Sequence, residues 1–235
     1  MHAPVPQLIP PDILLLGYRS GVFPMADSRD DPDVFWVEPK RRAIIPLDEF
    51  HCSHSLAKIL RRDRYTVTCN RAFDEVIAAC AAPRPDHPES WISERIAASY
   101  RALHLAGYAH SIECWRGNYL MGGLYGVGFD RVFCGESMFS RAPNASKVAL
   151  CFLVAAMRQA GCTLLDCQFM TDHLASLGAI EISQERYLQL LAQAQANAGE
   201  SDFYAVPSGF SSLLAGAGAG SSPGKLIAQS LTQTS

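Results

Sequence analysis

Two short stretches of the 235-residue sequence gather side chains able to do chemistry. One is FCGESMFSRAPNASK, Phe133 to Lys147, where a glutamate beside a glycine is followed by a methionine, aromatics and a run of hydrogen-bonding residues. The other is Asp166-Cys167-Gln168, near the end of the strand-like run TLLDCQF (163–169). Period-two alternation puts Asp166 and Gln168 on one face, shared with Leu164. An acid and an amide side by side must both find partners when buried. They are either a structural hydrogen-bonded pair or a polar dyad beside a substrate.

Other reactive residues point to less. Cysteines at 52, 69, 80, 114, 134, 151, 162 and 167 form no C-x-x-C pair and read as buried, reduced thiols. Cys134, Cys167 and His173 lie near the two stretches, but their surroundings do not resemble those of an activated thiolate. His51 and His54 open a helix without a carboxylate or cysteine framework at helical spacing, and Cys52 points elsewhere on that helix, so no metal is expected. No Walker loop or dinucleotide fingerprint is present, and no cofactor is expected. In GGLYGVG (122–128), Gly122-Gly123 falls inside a strand pattern and marks a bulge or a close approach.

The net charge of −3 carries no global basic field. Locally, Lys40, Arg41, Arg42, Lys58, Arg61, Arg62, Arg64 and Arg71 face only Asp48, Glu49 and Asp63 in the same span. Such a segment either holds a phosphate backbone or is a solvated basic face. Trp36, just before it, is either a stacking platform for a base or a core residue.

These residues need a frame. Pro10-Pro11-Asp12 opens a helix that Gly21 closes, and GVFPMADSRDDPD reads as a loop. Strands are expected at 34–37, 42–46 and 65–69, with helices after Ser53 and over RAFDEVIAACAA. A Pro-rich loop (82–90) precedes a helix capped by Ser93 and ended by Gly107. Residues 110–139 read as three strands, the first two joined at Arg116-Gly117-Asn118. A helix over 145–160, a stop at Gly161, the strand 163–169 and a helix from Ser183 follow. The fold class is α+β, with a small N-terminal α+β domain over 1–90 and a second domain over 91–198. The Gly/Ala/Ser-rich tail, 199–235, reads as poorly ordered. There is no signal peptide pattern and no apolar run long enough to span a membrane, so a soluble, cytoplasmic protein is expected.

Four blocks together carry a resemblance: YRSGVFP (18–24), GGLYGV (122–127), GESMFSRAPNASK (135–147) and LLDCQFMTDHLASLGA (164–179). In order and without a large gap, they closely resemble the bacterial leucyl/phenylalanyl-tRNA–protein transferases. The resemblance implies an N-acetyltransferase-like (GNAT-like) C-terminal domain. It implies a monomer that moves leucine or phenylalanine, and less readily methionine, from aminoacyl-tRNA to proteins with an N-terminal Lys or Arg, marking them for degradation. Trp36 and Trp91 match aromatics that grip the terminal adenosine. Leu124, Phe133, Met138, Leu150 and Leu153 match the lining of an apolar pocket, and Glu136 an acid at its edge. Asp166 and Gln168 match the residues proposed to act in catalysis, Asp166 orienting the Gln168 amide. Lys40, Arg41, Arg42, Lys58, Arg61, Arg62 and Arg64 would hold the tRNA backbone. Leu153 stands where better-known members carry an aromatic, and Leu124 where they carry a methionine.

Overall fold

A computed structural model describes residues 8–83, 89–196, 204–217 and 222–232. The first seven residues, read above for a leader, and the middle of the Pro-rich loop (84–88) lie outside these ranges.

The N-terminal part forms α1 (Pro11–Arg19), β1 (Phe23–Met25), β2 (Phe35–Val37), β3 (Arg41–Ile45), α2 (His54–Arg61), β4 (Thr66–Cys69) and α3 (Phe73–Ala81). Then come α4 (Glu94–Leu105), β5 (Ala109–Arg116), β6 (Tyr119–Phe129), β7 (Val132–Ser140), α5 (Ala145–Gln159) and β8 (Leu164–Gln168). The chain ends with α6 (Asp172–Ala175), β9 (Ile180–Ser183), α7 (Gln184–Ala196), α8 (Ala205–Gly216) and α9 (Pro223–Thr232). Local chemistry explains several ends. The Ser53 and Ser93 hydroxyls accept the backbone N–H of Leu56 and Ile96, capping α2 and α4. The segment expected to be loop after Gly21 holds β1, which pairs with β2 as a small hairpin.

The α+β class agrees with the sequence reading. One seven-stranded sheet runs in the order β4-β5-β6-β7-β8-β3-β9 and is antiparallel except between β7 and β8, which α5 joins. The division expected near residue 90 does not separate this sheet. β4 lies on one edge, and β3 is inserted between β8 and β9. One face is covered by α2, α5, α8 and α9, with Leu56, Phe133, Leu150 and Phe210 in the core. The other is covered by α1, α3, α4 and α7, around Tyr18, Phe73, Tyr100, Tyr125 and Tyr187.

The expectation of a poorly ordered tail is corrected for its described residues. The sequence of α5, ASKVALCFLVAAMRQ, is apolar almost all round, and such a helix must be covered on every side. α8 supplies that cover, with Phe210 against Phe152 at a ring separation of 6.1 Å. Ile227, Ala228 and Leu231 of α9 are buried in the same core.

Candidate active site

β7 and β8 pair only from Val132–Leu164 to Cys134–Asp166; β7 then runs on to Ser140 paired with β6 alone. The part of β7 that has left β8 and the end of β8 line a cavity of about 580 Å³, closed by Leu150 and Leu153 of α5, Leu124 of β6, Trp91, and His173 of α6. The walls are mainly apolar, and a volume of this size is that of a small-molecule site. Close approach of α5 to β6 is permitted at Gly122, where a Cβ would press on Ala145.

Two bulges set the polar residues of this cavity. Between β6 and β7, Tyr125 pairs with Ser137 and Gly126 with Gly135, which leaves Glu136 as the extra residue. Between β3 and β8, Ala43 pairs with Gln168 and Ile44 with Asp166, which leaves Cys167 as the extra residue. Each bulge interrupts the alternation and re-aims the neighbouring side chains. Gln168 has φ 63, a left-handed conformation uncommon outside glycine and asparagine. The shared face expected for Asp166 and Gln168 is therefore corrected. Gln168 lines the cavity, as do Leu165 and Cys167, whereas Asp166 is fully buried behind them.

Gln168 is held from two sides. Its backbone N–H donates to Asp166 Oδ1 at 2.8 Å, and its side-chain Nε2 donates to Glu136 Oε1 at 2.9 Å. Asp166 thus fixes the backbone, and Glu136 orients the amide, a role the sequence reading had given to Asp166. Glu136 also accepts from Tyr18 (2.8 Å) and Tyr100 (3.0 Å), whose hydroxyls touch each other. Burial pushes the Glu136 carboxyl up to about 7, against the opposing pull of these donors. An ionised Glu136 only accepts, so it keeps the amide NH₂ on its side and turns the amide oxygen away.

Asp166 is matched by Arg42. Arg42 Nε and Nη2 donate to its two oxygens at 2.9 and 2.6 Å, Tyr187 donates at 3.1 Å, and Arg42 Nη1 donates to the Gly21 carbonyl at 3.0 Å. This corrects the placing of Arg42 on an RNA surface. Strand alternation sends Arg41 out and Arg42 in, between the rings of Phe23 and Tyr187, with no exposed surface. The sequence signal for this pair was an arginine followed by the apolar Ala43-Ile44-Ile45.

The other expected residues divide by location. Trp91, Leu124, Glu136, Met138, Leu150, Leu153 and Gln168 meet at the cavity. Phe133 lies in the core beside it, and Trp36 stands 41% exposed on Gly17 of α1, outside the lining. Lys40 and Arg41 are exposed at the start of β3, Arg41 paired with Glu181 at 2.9 Å. Lys58, Arg61, Arg62 and Arg64 are exposed on α2 and the turn after it. Residues the sequence reading missed at the site are Tyr18, Tyr100, Tyr187, Phe169 and Thr171. Burial raises the thiol pKa of Cys134 and Cys167, which disfavours the thiolate. Burial, aided by Lys147, lowers that of His173. Among the described residues, no group of three or more His, Cys, Asp or Glu side chains stands together as a metal site.

The sequence matches the family Leucyl/phenylalanyl-tRNA protein transferase over residues 44–192, and that family's N-terminal domain over residues 8–40. It is 58% identical to the leucyl/phenylalanyl-tRNA–protein transferase of Novosphingobium aromaticivorans, over 98% of each chain. The like-named proteins of Rhizorhabdus wittichii and Rhodopseudomonas palustris are 61% and 53% identical over 78% and 85% of this chain, and over 74% and 88% of their own lengths.

Proposed function

Because the chain belongs to the leucyl/phenylalanyl-tRNA protein transferase family, and so is a transferase, we propose that it moves leucine or phenylalanine, and less readily methionine, from aminoacyl-tRNA to the N-terminal Lys or Arg of acceptor proteins. The new N-terminal residue marks the acceptor for degradation. The observation that carries this reading is the Gln168 amide, held on Glu136 at the wall of an apolar cavity.

The donor is already an activated ester, so the reaction needs no further energy source. The acceptor nitrogen attacks the ester carbonyl, the bond to the ribose oxygen breaks, and an amide forms. The proton shed by the amine ends on the departing ribose oxygen. An α-amine has a pKa near 7.7–8.0, so roughly a tenth or more is neutral at pH 7. No strong base is needed; positioning supplies much of the rate. The Gln168 amide oxygen accepts a hydrogen bond from the attacking amine. Asp166, out of reach of the cavity, acts as a positioning residue through the Gln168 backbone.

Leu124, Met138, Leu150 and Leu153 take the amino-acid side chain and reject polar ones by desolvation. Met138 gives the wall adaptable contact. Trp91 at the cavity and Trp36 on α1 grip the terminal adenosine. Lys40, Arg41, Lys58, Arg61, Arg62 and Arg64 follow the acceptor stem by its phosphates, which position without reading sequence. The splaying of β7 from β8 supports an N-acetyltransferase-like architecture. The protein acts as a cytoplasmic monomer without a cofactor; no helix among the described residues is long and apolar enough to cross a membrane.

The test is transfer by the purified protein from leucyl- and phenylalanyl-tRNA to peptides beginning with Arg, Lys, Asp or Ala. Label is expected on the Arg and Lys peptides and should appear much more slowly with Gln168→Ala. Transfer to the Asp peptide alone would replace the acceptor assignment, and transfer to none would remove the reading.

A further inference from the structure

We propose that α9 is part of the RNA-binding face: it locks the basic turn at the end of α2 and adds Lys225 to it. The inference rests on the aminoacyl-tRNA reading above, but on a different part of the molecule. The family match ends at residue 192, well before this helix.

Gly224, in the first turn of α9, lies on the last turn of α2. A Cβ there would collide with the Leu60 carbonyl oxygen and would stand 2.7 Å from Asp63 Oδ1. The Gly224 N–H instead donates to that carboxylate oxygen at 2.9 Å. Asp63 has φ 43, a conformation that a non-glycine residue holds at a cost. Its carboxylate is the one acid among Lys58, Arg61, Arg62 and Arg64, and α9 engages it.

The rest of α9 is anchored as firmly. Ile227, Ala228 and Leu231 share a core with Leu56, Ala57 and Leu60 on the inner side of α2. Arg158 of α5 donates from Nη1 to the Ser230 carbonyl at 2.9 Å and from Nε to the Leu47 carbonyl at 2.8 Å. Lys225, next to Gly224, is exposed. Lys58, Arg61, Arg62, Arg64 and Lys225 thus stand exposed on α2, the turn after it and α9, joined at Gly224 and Asp63. Five cations on a fixed frame suit a phosphate backbone, whose binding releases counterions.

Gly224→Ala tests the joint, because alanine is the stronger helix former and leaves α9 itself no weaker. Asp63→Ala removes the anchor without a clash, and Lys225→Ala removes the charge. Each is assayed with two donors, aminoacyl-tRNA and an aminoacyl ester of adenosine, which lacks the phosphate chain. All three variants should raise KM for aminoacyl-tRNA by about three- to tenfold and leave kinetics with the adenosine ester unchanged. Lys225→Ala should also lower the salt slope of uncharged tRNA binding by about 0.7–0.9. Gly224→Ala combined with Arg62→Ala should lose less than the product of the single effects. Equal losses with both donors would mean general destabilisation and overturn the proposal, as would unchanged KM for aminoacyl-tRNA. If the unaltered protein transferred from neither donor, the transferase reading would fall by itself. The surface would then stand or fall on whether the variants weaken binding of uncharged tRNA.

Discussion

Arg42 and Asp166 are 124 residues apart in the chain, yet they meet through two hydrogen bonds of 2.9 and 2.6 Å with neither side chain exposed. The pair stands directly behind Gln168, whose backbone N–H uses the same Asp166 oxygen as Arg42 Nε.

Removing one member strands the other. Arg42→Met should lower stability to urea by about 3–5 kcal/mol, because Asp166 is left buried and charged. Pairing it with Asp166→Asn should recover much of that stability, because no unpaired charge remains. Transfer should stay low in the double variant, since the Gln168 backbone loses its anchored acceptor. Equilibrium unfolding and single-turnover transfer separate the two effects.

Gln168→Ala removes the hydrogen-bond acceptor proposed for the amine. A bond to a group gaining charge is worth about 1.5–3 kcal/mol, so kcat should fall roughly 10- to 150-fold. KM for the donor should change little, because the apolar wall is intact. A large rise in donor KM with kcat preserved would contradict the role.

The pH dependence follows from Glu136, whose carboxyl is pushed from 4.5 up to about 7. Activity should rise through about pH 7 as the ionised carboxylate fixes the Gln168 amide; Glu136→Gln should lose that limb and keep the one from the acceptor amine. For stability the sign is opposite. The folded state holds this proton more tightly than the unfolded chain, so the contribution is full below about pH 4.5 and lost as pH rises through about 7. At 1.36 kcal/mol per pKa unit, that is roughly 3 kcal/mol. Urea midpoints from pH 4 to 8 for the unaltered protein and Glu136→Gln measure it.

Leu153 should tune the amino acid accepted. Leu153→Phe fills part of the cavity and should shift preference from phenylalanine toward leucine. A difference of one methylene is worth about 1–3 kcal/mol, or 10- to 200-fold in the ratio of kcat/KM values. Competition between the two charged tRNAs reads that ratio directly.

Much of the frame was legible because its signals are local. Ser53 and Ser93 announce their helices, and alternation announces β5 to β8. The pocket residues Leu124, Glu136, Met138, Leu150 and Leu153 came from the resemblance and meet at one cavity. What stayed hidden depends on register and on distant partners. Period-two counting cannot see the extra residues Glu136 and Cys167, so it misplaced Asp166 relative to Gln168. Charge counting cannot see that Arg42 finds its partner across the sheet. The described part of the tail was misread from composition, although the all-round apolar sequence of α5 already required a cover.

The insertion of β3 between β8 and β9 also orders events during synthesis. A nascent chain carries Arg42 out of the ribosome long before Asp166 or Ile182 exists to receive it. The early segment must wait, unpaired, until the later strands emerge, and such long-range pairing is slow. A chain halted before residue 166 can form neither the ion pair nor the held Gln168. The candidate site therefore assembles only after β8 has been synthesised, and products that stop before it lack the held Gln168.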